Sequence, residues 1–377
     1  MTDLRLSPIA GNVKSIQVCK GLSLSAIPDN GVLILDPCVL PLLGKDLLSK
    51  FREIIQVEGG ENGKTEERFL SLLLQHREAL EQSDCLVAIG GGGTLNMATS
   101  IAHAMASAGH APPYHIVPTT LLAMVDVAYG SLGRLNRNGL KNKIRCAYDP
   151  TAIILDPVFL RHLPVAEIKR GLAECLKHAL LQSTPDNKDR FPTVEECLFL
   201  LKKEHPSVEN VFPVAEKTLN AKAAVITAIN EGNKLIENIL SYGHVDAEPR
   251  EGASGLRLSH GDAVLLGLAI EAALCGPAKM DETIIEVIPY TPLGKELNLI
   301  DFDSDVMREA YRSSGKPRFS LGADRYRVVR LSTAGQFASL NKETNVDFME
   351  FDFKTLFDAG CRIIRHSTMS AKSFANQ

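Results

Sequence analysis

Between residues 31 and 118, short apolar runs alternate with amphipathic stretches, and this alternation restricts the possible fold more than any single motif. The run GVLIL at 31–35 is continuously apolar and ends in Asp36 and Pro37, as a buried strand entering a loop would. Residues 53–58 read as a second strand, followed by the polar turn GGENGK at 59–64. Residues 65–83 read as a helix, with apolar positions at Phe69, Leu70, Leu73, Leu74 and Leu80. A third strand is expected at 85–89, four glycines follow at 90–93, and 94–108 is helical in pattern. Residues 115–117 make another short strand, closed by Pro118. Such alternation predicts a Rossmann-like α/β domain, a parallel sheet with helices on its faces.

After about Pro150 the texture changes. Residues 166–181, 194–203, 213–230 and 262–274 all carry helical periodicity, and strand signals become rare. The stretches 183–187 and 248–254 read as loops. We therefore expect an α/β N-terminal domain over 1–150 and a mainly α-helical C-terminal domain over 151–377, divided to within about ten residues. A chain of 377 residues accommodates two cores.

The formal net charge is −4 and no long basic run occurs, so neither nucleic acid nor an anionic membrane surface is expected as a partner. No charge-free stretch is long enough to predict a membrane span, and the N-terminal residues lack the apolar core of a signal peptide. The eight cysteines form no CxxC pair, which fits reduced thiols. The expected location is the cytoplasm.

The glycines at 90–93 stand between a strand and a helix. There the backbone can approach a pyrophosphate, and the helix N-terminus offers free N–H groups and a positive dipole end. The run lacks GxGxxG spacing, and a tight strand-to-helix turn is the plainer alternative. Asp36, at the end of the first strand, could hold a ribose hydroxyl or cap a turn. In the second half, Glu174 lies in a helical stretch, His244 in Tyr-Gly-His-Val, and His260 opens the stretch 262–274. Two histidines and a carboxylate that leave one position open are a common catalytic zinc set.

Taken together and in order, GGENGK (59–64), AIGGGGTLN (88–96), VPTTLLAMVD (117–126), LKNKIRCAYDP (140–150), LDPVFLRHLP (155–164), RGLAECLKHAL (170–180), YGH (242–244) and SHGDAV (259–264) resemble the dehydroquinate synthase-like sugar-phosphate cyclases. That family includes dehydroquinate synthase, 2-deoxy-scyllo-inosose synthase and 2-epi-5-epi-valiolone synthase. The match runs from about residue 30 to 275 and more faintly to 330. The resemblance implies an NAD-binding N-terminal domain and a helical domain that binds metal and substrate. It implies that Asp36, Glu61 and Lys64 hold the adenosine side of NAD, that Gly91, Gly92 and Gly93 hold its pyrophosphate, and that Asn96, Thr119, Thr120, Asp126 and Lys141 line the rest. Glu174, His244 and His260 fall on the family's metal ligands, for zinc or cobalt. Lys177 and Lys222 match lysines near the reacting hydroxyls. Asn142 matches a substrate-side asparagine, and Asp126 counts with the catalytic residues as well. The implied partner is a small sugar phosphate, and the implied assembly a homodimer.

Four positions depart from dehydroquinate synthase. Leu132 stands where a lysine is expected, Glu237 where an arginine holds the substrate carboxylate, Ser241 for an asparagine and Glu248 for a second histidine. The first two changes remove positive charge from an anion pocket, and Glu237 adds a repelling one. Asn96 resembles the deoxy-scyllo-inosose branch, and loss of the second histidine the valiolone branch. The expected activity is an NAD-dependent, metal-assisted cyclisation of a sugar phosphate with loss of phosphate, toward a cyclitol-type product. Three alternatives stay open: dehydroquinate synthase itself, with Arg134, Arg145, Arg250 or Arg257 supplying the anion contacts; a polyol dehydrogenase of the same fold; and a non-catalytic relative that binds NAD and metal.

Overall fold

The computed structural model describes residues 2–4, 15–18, 27–255, 257–297, 303–313, 320–322, 324–337, 340 and 344–375. Cys19 and most of the N-terminal stretch before residue 27 lie outside the described residues. The chain divides into two compact units, Met1–Leu163 and Pro164–Gln377.

In chain order the first unit contains β1 (Thr2–Leu4), β2 (Ser15–Val18), β3 (Gly31–Leu35), β4 (Phe51–Gln56), β5 (Leu86–Gly90), β6 (Tyr114–Pro118), β7 (Leu132–Arg137), β8 (Leu140–Ala147) and β9 (Ala152–Leu155). Seven of these form one sheet in the order β1-β2-β9-β6-β5-β3-β4. All its pairings are parallel except β1 with β2. Every residue of β3, β5 and β9 is buried, which is why these strands read as unbroken apolar runs rather than alternating ones. From β3 the chain passes outward to β4 and then returns to β5 on the other side of β3. Such a reversal leaves a crevice outside the C-terminal ends of β3 and β5. Asp36 follows the first of these ends, and the glycines at 90–93 begin at the second.

The residues expected as one helix at 65–83 form two, Glu66–Gln75 and Arg77–Glu81, interrupted at His76, whose ring pairs with Glu53 at 2.9 Å. Thr65 caps the first of them through the Arg68 N–H. The hairpin β7–β8 was not expected. Its strands alternate or are half-exposed, so no apolar run marks them.

The second unit is mainly helical, with a small antiparallel sheet of β10 (Ser320–Gly322), β11 (Arg325–Val329) and β12 (Phe348–Asp352). Its long helices are Val165–Gln182, Val208–Asn230, His260–Cys275 and Phe353–Ala375. The third of these begins two residues before the expected start, with Ser259 as its cap. Two expectations are corrected. Helix Val208–Asn230 starts well ahead of Pro213, which it tolerates in its second turn. The stretch 248–254, read as a loop, belongs to the helix His244–Ala253 despite Pro249. An i,i+4 ion pair between Asp246 and Arg250, with nitrogen–oxygen distances of 2.5 and 3.1 Å, braces that helix from within. Among the described residues no helix is long and apolar enough to cross a membrane.

Candidate metal and nucleotide sites

Glu174 sits in the middle of helix Val165–Gln182 and is 1% exposed. A buried ionised carboxylate is costly unless cations or donors face it. Its surroundings are nitrogen atoms. Nε2 of His244 lies 3.3 Å from Oε1, Nε2 of His260 lies 3.5 Å from the same oxygen, and Nζ of Lys177 forms an ion pair with Oε2. Burial alone would raise the Glu174 carboxyl, but Lys177 and His244 outweigh it and hold the group well below the usual carboxylate range.

Two ligands about 2.1 Å from one tetrahedral ion stand about 3.4 Å apart. The distances from Glu174 to the two imidazoles match that spacing, and one ligand atom from each of the three residues lies within 4.8 Å of the others. The donor set is one carboxylate and two imidazoles, suited to zinc or cobalt. The residues therefore fit a divalent ion.

Each imidazole is also held from behind. His244 Nδ1 faces the Tyr242 carbonyl at 3.2 Å, and His260 Nδ1 faces Glu251 Oε1 at 2.5 Å. A donor proton on Nδ1 leaves the Nε2 lone pair facing Glu174. Burial disfavours a charged His260, yet Glu251 and Glu174 outweigh it and push that imidazole up to about 9. The negative field that favours a proton there also favours a cation. Gly243, just before His244, has φ +79°, and a Cβ on it would lie 2.8 Å from Leu268. Its N–H donates to Glu271 Oε2 at 2.8 Å, and the Val245 N–H donates to Glu271 Oε1 at 3.1 Å. A buried carboxyl group thus takes two of the free N–H groups at the start of the helix that begins at His244. Burial pushes Glu271 up to about 8.

Lys177 is 2% exposed and also donates to the Leu240 carbonyl at 3.3 Å. Lys222 is buried in helix Val208–Asn230. Beside it, the Ala221 carbonyl accepts from Gln182, whose Oε1 meets Nδ1 of the buried His178 at 3.0 Å.

In the first unit, helix Gly92–Ser107 begins directly after β5 with Gly91 as its cap residue. A Cβ on Gly93 would lie 2.3 Å from the Gly60 carbonyl oxygen, so only glycine lets this helix start meet the 59–64 loop. Asp36 accepts from the Cys38 N–H at 3.0 Å, as a cap of the short helix Pro37–Leu42. Its other carboxylate oxygen lies beside Gly59. Glu61 pairs with Lys64 at 3.1 Å and Lys141 at 3.2 Å, and Lys64 donates to Asn142 Oδ1 at 3.0 Å. Burial would raise the Glu61 carboxyl, but these two lysines and Asn136 hold it below its ordinary value. Thr119 donates its backbone N–H to the Gly90 carbonyl at 3.0 Å. Thr120 caps the turn Ala123–Val127, a π-helical turn that carries Asp126. Asn96 uses both ends of its amide internally, donating to the Gly92 carbonyl at 2.8 Å and accepting from the Arg134 N–H at 3.0 Å.

The geometry thus gathers Glu174, His244, His260 and Lys177 in one unit and Glu61, Lys64, Lys141 and Asn142 in the other. Glu251, Glu271 and Asn136 were missed. A lone glutamate inside the apolar helix His260–Cys275 was the available signal for Glu271. Arg250, offered as a substitute anion contact, is wholly buried against Asp246, which also accepts from the Tyr311 hydroxyl. Leu132 and Glu237 are both exposed.

Residues 54–170 match the pattern of the 3-dehydroquinate synthase N-terminal family, and residues 171–289 that of the 3-dehydroquinate synthase C-terminal family. A 3-dehydroquinate synthase from Sulfurisphaera tokodaii is 30% identical over 296 residues, covering 77% of this chain and 81% of that protein. The chain belongs to the 3-dehydroquinate synthase family. Two solved structures share the fold of this 3-dehydroquinate synthase relative. One is a 2-deoxy-scyllo-inosose synthase in complex with carbaglucose-6-phosphate, NAD+ and Co2+, at 22% identity, TM-score 0.75, and coverage of 97% of this chain and 99% of that one. The other is a 2-epi-5-epi-valiolone synthase from Streptomyces hygroscopicus with NAD+ and Zn2+ bound, at 19% identity, TM-score 0.73, and coverage of 96% and 99%.

Proposed function

We propose that this protein converts a sugar phosphate without a carboxylate into a carbocycle, releasing phosphate, with NAD and a divalent metal as resident cofactors. The observation that carries this reading is the buried Glu174 with two imidazoles at ligand spacing, in a chain of the 3-dehydroquinate synthase family. NAD supplies a hydride acceptor and donor at a secondary alcohol, and a divalent ion polarises that oxygen.

The chain's own residues do the rest. Glu174, His244 and His260 hold the ion, with Glu251 fixing the tautomer of His260. Lys177, buried beside Glu174, places a cation where an alcohol oxygen or a leaving phosphate gathers negative charge. Lys222 serves as a second cation for the substrate oxygens. The amides at Gly91, Gly92 and Gly93 and the helix start behind them receive the pyrophosphate. Asp36, Glu61 and Lys64 take the adenosine side, Thr119, Thr120, Asp126 and Lys141 the remainder, and Asn142 the substrate. Asn96 acts indirectly, by tying the helix start to β7.

Substrate choice rests on Leu132 and Glu237. The resemblance places cationic side chains at both positions in dehydroquinate synthase. A charge-assisted hydrogen bond is worth about 1.5–3 kcal/mol. Without two of them, a carboxylate-bearing substrate loses roughly two to four decades of binding. The test compares kcat/KM for the heptulosonate phosphate of dehydroquinate synthase, sedoheptulose 7-phosphate and glucose 6-phosphate. We expect sedoheptulose 7-phosphate to lead and glucose 6-phosphate to follow. Efficient conversion of the heptulosonate to dehydroquinate would overturn this substrate assignment. The 30% identity to the Sulfurisphaera tokodaii protein is what favours that second reading.

A further inference from the structure

Asn136, in β7, is 7% exposed, and both ends of its amide are engaged. Nδ2 donates to the main-chain carbonyl of Glu61 and to Glu61 Oε2, both at 3.0 Å. Oδ1 accepts from the Asn142 N–H at 3.0 Å, and the Asn136 backbone N–H donates to the Lys64 carbonyl at 2.8 Å. The orientation of the amide is settled by these partners, since two oxygens face one end and an N–H faces the other.

The segments tied together need a tie. Gly60, one residue before Glu61, has φ +77°, and Asn142 has φ +55°, left-handed turns that glycine and asparagine adopt readily and that the hydrogen bonds to Asn136 hold in place. Glu61 and Asn142 meet again through Lys64, which reaches Glu61 Oε1 at 3.1 Å and Asn142 Oδ1 at 3.0 Å. A closed ring results, in which Asn136 holds the backbones and Lys64 bridges the side chains. Only a carboxamide fits the first role. Leucine would strand a carboxylate oxygen and an N–H, and aspartate would set a second anion against Glu61.

We propose that Asn136 is a positioning residue for the nucleotide site, holding the 59–64 loop on the hairpin so that Lys64 and Asn142 are presented together. It rests on the reading of Lys64 as an NAD contact. It touches no ligand itself, so its effect on NAD travels through the Glu61–Lys64 pair.

The experiment measures NAD affinity of the full chain by calorimetry for the wild type, Asn136→Leu, Lys64→Ala and the double variant, with Co2+ affinity as the control. We expect Asn136→Leu to weaken NAD by about tenfold to a hundredfold while Co2+ affinity stays within about twofold. The double variant should bind NAD no worse than Lys64→Ala alone, because the two changes break one contact. A folded Asn136→Leu protein with NAD affinity within about twofold of wild type overturns the proposal, and so do additive losses in the double variant. If Asn136→Leu does not fold, Asn136→Asp takes its place. Its NAD affinity should fall by about tenfold or more while Co2+ affinity stays within about twofold, since a carboxylate cannot donate to Glu61. A folded Asn136→Asp protein with NAD affinity within about twofold of wild type contradicts the role. Failure of the underlying NAD reading looks different: wild type does not bind NAD, or Lys64→Ala binds it undiminished.

Discussion

Glu174 holds two carboxylate oxygens in a wholly buried place, with Lys177 against one and two imidazoles against the other. What marks those imidazoles as candidate ligands rather than ordinary histidines is the layer behind them. Glu251 fixes His260 through Nδ1, and partners of this kind change metal affinity by about tenfold to a hundredfold when removed. We expect that loss in Glu251→Leu, read by competition for Co2+ with a chromophoric chelator. Glu251→Gln keeps an acceptor and should lose less. Equal affinities for wild type and Glu251→Leu would remove Glu251 from the site. At the nucleotide site, Gly92 is the informative glycine. A Cβ there meets only the Val127 side chain at 3.2 Å, whereas one on Gly93 strikes backbone. Gly92→Val should therefore weaken NAD binding by about tenfold or more with little change in thermal midpoint. Unchanged NAD affinity would move the pyrophosphate elsewhere.

At the scale of elements, helix Val165–Gln182 carries a pH dependence of its own. Burial, and then Lys177, holds His178 at about 3, far below an exposed histidine. A histidine with a depressed value in the fold favours the unfolded chain once protons are available. Its stabilising share is full above about pH 6.5 and is lost as pH falls toward 3. Between about pH 7.5 and pH 5 this amounts to about 2 kcal/mol. Urea unfolding of wild type should lose that much more than His178→Leu over the same interval, and identical pH slopes would contradict the assignment. The same helix shows what was legible in the sequence. Its apolar periodicity marked it to within a residue at each end, and β3 and β5 declared themselves because burial on both faces demands unbroken apolar runs. Helix His244–Ala253 hid because it is polar, contains Pro249, and owes its start to Glu271, a residue on another helix. The hairpin β7–β8 hid because exposed strands carry no apolar signature. The cluster of Glu174, His244 and His260 was legible as a family pattern. Glu251, Glu271 and Asn136 were not, because their roles are long-range hydrogen bonds that no spacing encodes.

Across the whole molecule, one unit gathers the nucleotide candidates and the other the metal candidates. The family accounts for that arrangement. Leu132 and Glu237 carry the proposal that the substrate lacks a carboxylate. The distinction from a polyol dehydrogenase lies in the fate of the hydride. A cyclase returns it, so NAD is not consumed. The most direct measurement follows phosphate release and NADH absorbance together during turnover of sedoheptulose 7-phosphate with NAD and Co2+, with His244→Ala as the control. The account predicts phosphate accumulating over many turnovers with no net NADH, a carbocyclic product by mass, and neither signal in His244→Ala. NADH accumulating in step with substrate loss, without phosphate, would contradict it.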